Sequence, residues 1–83
     1  MTNRPRLTVF SRAWCHLCDE LMARLRPLCQ DLGADIELID VDEQPEFEPL
    51  HGARVPVVMG EGKELCHYHL DEAAVRAYLL NFR

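Results

Sequence analysis

The chain lacks any apolar run near the roughly 18–20 residues that a membrane-spanning helix needs. No apolar core follows the charges of Met1-Thr2-Asn3-Arg4-Pro5-Arg6, so no secretory leader is expected there, and a cytoplasmic location is. Basic residues are scarce. Nine Lys and Arg stand against fourteen Asp and Glu, a formal charge of −5. The imbalance is local: residues 1–34 carry five Arg against three acids, and residues 35–83 carry four basic residues against eleven acids. Phosphate binding needs a basic face, so nucleic acid is not an expected partner, and neither is a membrane. Seven of the acids fall between Asp35 and Glu48. Such a run reads first as a solvated face. The alternative is a docking surface for a basic partner. Internal repeats, low-complexity tracts and linkers are missing as well.

What remains is enough for one globular domain over residues 1–83, with 48% apolar residues to form its core. A monomer is expected. At this length folding buries about 60–65% of the unfolded surface, so stability is expected to be modest.

Leu7-Thr8-Val9-Phe10 is a short β-prone run. A helix is predicted from about Cys15, because Leu17, Leu21, Leu25, Leu28 and Leu32 draw one apolar stripe. Pro27 removes a backbone donor and predicts a kink or an early end, and Gly33 is a natural stop. Ile36-Glu37-Leu38-Ile39-Asp40-Val41 has the mostly apolar, β-branched character of a buried parallel strand. Strand, helix and strand then make one right-handed βαβ unit. Pro45 opens a short helix kept short by Pro49 and Gly52. Pro56-Val57-Val58-Met59 and Glu64-Leu65-Cys66-His67-Tyr68 form a hairpin around Gly60-Glu61-Gly62-Lys63. Asp71 is a good N-cap for a closing helix with Ala74, Val75, Tyr78, Leu79 and Phe82 on one face. The expected fold is α/β, a four-stranded mixed sheet flanked by helices, in the order β-α-β-α-β-β-α.

There are four cysteines. Without an export signal, reduced thiols are the default, so the C-x-x-C spacing of Cys15 and Cys18 needs a chemical explanation. Directly after a strand, the first Cys falls at a helix N-terminus. Unpaired N–H groups and the helix dipole favour negative charge there, which lowers the thiol pKa and supplies the thiolate that attacks disulfides. The second Cys, one turn on, can resolve the mixed disulfide. Cys29 and Cys66 read as packing residues.

With Ser11-Arg12-Ala13-Trp14-Cys15-His16-Leu17-Cys18 and Val55-Pro56 in view, nearly the whole chain resembles the glutaredoxin-like branch of the thioredoxin superfamily. The resemblance implies a thioredoxin-like fold and a thiol–disulfide oxidoreductase with Cys15 as nucleophile and Cys18 as resolving thiol. It implies no resident cofactor, with glutathione as a co-substrate and a disulfide-containing protein or glutathione as partner. Arg12 matches the basic residue that contacts a glutathione carboxylate, and Val55-Pro56 matches the family's V-P, whose proline is cis beside the dithiol. Trp14 is expected to shield the thiol or offer a docking surface, unless it packs in the core. Two features depart from the pattern. His16-Leu17 replaces Pro-Tyr, and a charged His16 would stabilise the thiolate unless it is merely solvated. Cys66-His67-Tyr68-His69-Leu70-Asp71 has no Gly pair where glutaredoxins let backbone approach glutathione.

Two other readings compete. His16, His67 and His69 could join the dithiol around zinc, or Cys15 could hold a shared [2Fe–2S] cluster with external thiols. The chain could also be a thioredoxin-fold interaction module without turnover. A copper-carrier domain shares the early C-x-x-C but should end in a strand, whereas this chain ends in an amphipathic helix.

Overall fold

The computed structural model describes residues 4–82. These fold as β1 (Arg6–Ser11), α1 (His16–Leu32), β2 (Asp35–Asp40), α2 (Glu48–His51), β3 (Val57–Gly60), β4 (Lys63–His67) and α3 (Glu72–Leu80). Short 3-10 turns, Pro45–Phe47 and Gly52–Arg54, flank α2. The sheet runs in the order β2-β1-β3-β4. β1 and β2 are parallel, and the two remaining neighbour pairs are antiparallel. The result is a thioredoxin-like α/β fold with a mixed sheet.

Strand alternation sorts the core into two layers. Leu7 and Val9 of β1 and Val58 of β3 pack with Leu21, Leu25 and Leu28 of α1 and Val75 and Leu79 of α3. Phe10 and Val57, the next residues on the same strands, face the other way. They cluster with Ile39, Val41 and Phe47. Both long helices therefore cover one face, and the segment around α2 covers the other. Leu25 is fully buried, and truncating a Leu in such a site costs about 2–5 kcal/mol.

β2 is not the buried strand its composition predicts. It pairs only with β1 and forms a sheet edge, with Leu38 half exposed. A parallel strand is covered on both sides only when it has two neighbours, and here the hairpin adds to β1 from the opposite side. Pro27 does not end α1 early either. The helix continues to Leu32 because Leu28 and Cys29, beyond the proline, are buried in the main core while Pro27 itself is exposed. Gly33 then caps the helix with φ 71°, its amide donating to the Cys29 carbonyl.

The hairpin turns through Glu61 and Gly62 with φ of 51° and 77°. Positive φ at both central residues is the twist that joins antiparallel strands tightly. Gly60 is required for a different reason: a Cβ there would lie 2.7 Å from the Tyr78 ring of α3.

Candidate active site

The dithiol sits where β1 hands the chain to α1. After Ser11 the backbone passes through Arg12 and Ala13 to Trp14, which has φ 61°. For a bulky side chain this left-handed conformation is strained. It leaves the indole fully exposed, so Trp14 does not pack in the core. Cys15 follows as the N-cap of α1, extended at φ −106° and ψ 105°. Its carbonyl accepts the Asp19 amide at 3.1 Å, the first helical bond. Its Sγ accepts the Cys18 amide at 3.2 Å. The sulfur therefore takes the place an oxygen holds in an ordinary N-cap.

Cys15 and Cys18 are joined by a disulfide, their Cα atoms 5.2 Å apart. Their exposures differ. Cys15 is partly exposed, whereas Cys18 is buried on the core side of the helix. The first sulfur is therefore the more accessible one to an incoming disulfide. The second can react with whatever becomes attached to the first.

The Val55–Pro56 peptide bond is cis. The register Phe10↔Val57 brings the end of this loop opposite the point where β1 turns toward the dithiol. Pro56 is buried and its carbonyl accepts the Tyr68 amide at 2.9 Å. The Tyr68 hydroxyl donates to the Ala53 carbonyl at 3.2 Å. Glu64 adds a third tie by accepting from Arg54 at 2.6 Å, with His67 Nδ1 3.0 Å from the same oxygen. The loop before β3 is thus bound along its length to β4 and the turn after it.

The remaining candidates divide sharply. His16 projects into solvent and pairs with Glu20, one turn on, at 3.5 Å. Arg12 is held within the fold: its guanidinium pairs with Glu48 of α2 and lies 3.3 Å from Asp42. Two carboxylates already occupy the cation that the resemblance assigns to a glutathione carboxylate. Asp71 caps α3, accepting the Ala74 amide at 3.0 Å.

Two grooves border the dithiol segment. One, of about 630 Å³, passes Cys18 and Ala13 and is rimmed by Arg12, Asp19, Arg26 and Asp40. The other, of about 420 Å³, starts at Leu17 and runs between α1 and Tyr68, His69 and Leu70. Tyr68 was not singled out from the sequence. The missing Gly pair in this stretch was the available signal, because it left open what occupies the gap.

Cys29 and Cys66 behave as packing thiols. Cys29 is buried and Cys66 half-buried against the same core. Burial pushes the Cys29 thiol above its ordinary 9.0, with the Asp35 carboxylate adding to the effect. Burial also pushes Cys66 up, although the Asp71 amide opposes it by hydrogen bonding to the sulfur. Among the described residues, no three His, Cys, Asp or Glu side chains converge as a metal-binding group. No helix among them is long and apolar enough to cross a membrane.

Comparison with known proteins gives this architecture its relatives. Residues 6–80 match the model of the Glutaredoxin-like domain (DUF836) family. The uncharacterized protein Rv0508 of Mycobacterium tuberculosis is 34% identical over 80 residues, 90% of this chain and 82% of that one. The solution structure of protein Ne2328 from Nitrosomonas europaea is 39% identical, covers 94% of both chains and superposes with a TM-score of 0.81. Oxidized mitochondrial thioredoxin 3 of Saccharomyces cerevisiae shares the fold, with a TM-score of 0.69 at 19% identity over 98% of this chain and 81% of that one. A thioredoxin-like fold that presents a C-x-x-C pair at a helix start places this chain in the glutaredoxin-like family of the thioredoxin superfamily.

Proposed function

We propose that this protein is a thiol–disulfide oxidoreductase in which Cys15 attacks and Cys18 resolves. The observation that carries the proposal is the N-cap geometry of Cys15, whose sulfur accepts the Cys18 amide in the first turn of α1. When the disulfide is reduced, that amide and the helix dipole stabilise a thiolate at that sulfur. The Cys15 thiolate attacks one sulfur of a substrate disulfide. A mixed disulfide forms and the other substrate sulfur leaves as a thiolate, taking a proton from water. Cys18 loses its proton and attacks Cys15 Sγ, which releases the second substrate thiol and closes the Cys15–Cys18 disulfide. Two electrons have passed from the protein to the substrate. Two equivalents of an external thiol return the pair to the dithiol and leave as their own disulfide, which suits a cytoplasmic monomer with no resident cofactor and either a disulfide protein or glutathione as partner.

The test is reduction of a protein disulfide and of a glutathione mixed disulfide by the purified protein, with Cys15→Ser as control. Activity lost in Cys15→Ser supports the proposal. No exchange with either substrate, from a colourless preparation that contains no iron or zinc, leaves an interaction module without turnover.

A further inference from the structure

Three places on the surface border the dithiol: the charged groove beside Cys18, the tied loop before β3, and the groove between Leu17 and the β4–α3 turn. The charged groove mixes both signs and favours no ligand. The tied loop has its Ala53 and Pro56 carbonyls and its Arg54 guanidinium already paired. The third place differs in kind: most of its lining is apolar, and of its three polar residues Glu20 pairs with His16 and Arg24 with Glu72, which leaves His69 open.

Two backbone amides of the turn after β4 are already engaged. The Tyr68 amide donates to the Pro56 carbonyl and the His69 amide to the His67 carbonyl, at 2.9 and 2.7 Å. The Asp71 carboxylate caps α3, and Arg12 is neutralised by Asp42 and Glu48. A tripeptide that binds through its carboxylates would have to displace one of these partners, and charged hydrogen bonds are the strong ones.

Apolar surface, by contrast, is unpartnered. The Trp14 side chain is fully exposed beside Cys15, and Tyr68 is held at φ 63° and is 41% exposed. Leu17, lying between the two cysteines in sequence, opens a groove floored by Leu21 and Ala23 and walled by Tyr68 and Leu70. The groove meets the dithiol segment at Leu17, so a chain flanking a cystine bonded to Cys15 Sγ can extend into it.

We infer that the disulfide partner is a polypeptide whose apolar residues beside the cystine dock in the Leu17–Tyr68–Leu70 groove, and that Tyr68 determines this specificity against glutathione. The inference rests on the thiol–disulfide exchange proposed above. Tyr68 does not take part in the chemistry. Its ring fills the space through which a small anion would approach the backbone, and the same ring supplies a wall for apolar side chains.

The test uses the whole pre-reduced protein in single turnover, so no external reductant is needed. Its oxidation is followed by acid quench, alkylation and mass. The oxidants are a disulfide peptide with Leu and Phe beside the cysteines, the same peptide with Glu in those positions, and oxidised glutathione. The apolar peptide is expected to oxidise the protein about tenfold faster than either of the others, roughly what burial of one apolar side chain supplies. Tyr68→Gly accepts the positive φ without strain and is expected to bring the peptide-to-glutathione rate ratio down to about one. Leu17→Ser provides a second variant away from that turn and is expected to lower the apolar-peptide rate alone. Oxidised glutathione reacting as fast as the apolar peptide, or equal rates for the two peptides, overturns the inference and leaves thiol exchange standing. An unchanged rate ratio in folded Tyr68→Gly overturns the role of Tyr68. No Cys15-dependent oxidation by any of the three overturns the exchange reaction itself.

Discussion

The two long helices begin alike and differ in the group that accepts at the cap. In α3 the cap is Asp71, at φ −97° and ψ 90°, and its carboxylate accepts the Ala74 amide at 3.0 Å. In α1 the cap is Cys15, at φ −106° and ψ 105°, and its sulfur accepts the Cys18 amide at 3.2 Å. Asp71 brings a permanent anion and is a strong cap. A neutral sulfur is a weak acceptor and a poor cap. The helix that carries the dithiol therefore starts with the less stabilising residue. The same amides that a carboxylate would satisfy are left to favour a charge that appears only on reduction. One helix start serves stability and the other serves reactivity, with the same backbone geometry.

The most severe way to break this comparison is Cys15→Ser. Exchange activity should fall by more than about a thousandfold, as expected when a nucleophile is lost. Stability of the reduced protein should hold or rise, because Ser is a better N-cap. Disulfide-reduction assays and denaturant unfolding of the reduced protein check the two halves. A loss of both would mean that Cys15 is structural.

Gly60→Ala asks whether the seat of α3 matters more than its cap. The new methyl would press on the Tyr78 ring, so stability should drop by about 1–3 kcal/mol, the usual cost of overpacking. Exchange activity of the folded fraction should be unchanged. Urea midpoints of the variant and the parent decide it. Asp71→Ala sharpens the comparison from the other side: it should cost about 1 kcal/mol and leave the rate of exchange within about twofold, because Asp71 lies outside the chemistry.

The smallest effect is read against pH. In the reduced protein, thiolate absorbance should show Cys15 ionising below the free-thiol value of about 8.5. Cys29 and Cys66 should ionise above that free-thiol value, because burial disfavours their thiolates. A raised thiol pKa means that the unfolded chain gives up its proton first. The contribution of each packing thiol is therefore complete below its unfolded value and is lost as pH rises through the higher folded one. Stability should begin to fall above about pH 9, and Cys29→Ala should flatten that slope. A Cys15 midpoint at or above 8.5 would mean that the start of α1 does nothing for its thiolate.

Much of the dithiol's setting was legible in the sequence. A β-prone run, C-x-x-C and a leucine stripe are local patterns, and they define a helix start with a cysteine on it. The Asp71 cap and the Glu61–Gly62 turn were readable for the same reason. The surroundings of the dithiol were not. Arg12 reads as a free cation until α2 brings Glu48 to it, 36 residues further on. Tyr68 reads as the end of a strand until the turn after β4 reaches the helix that carries Leu17.

By itself the sequence determined the order of elements, the position of both cysteines at the start of α1 and the apolar faces of the long helices. Each of these depends on neighbours within a turn or a strand. Only the tertiary structure decided that β2 is an edge, that Trp14 is exposed and that Arg12 is occupied. It also placed an apolar groove beside the dithiol. Those outcomes depend on which distant residues meet across the sheet, and periodicity and spacing carry no record of that.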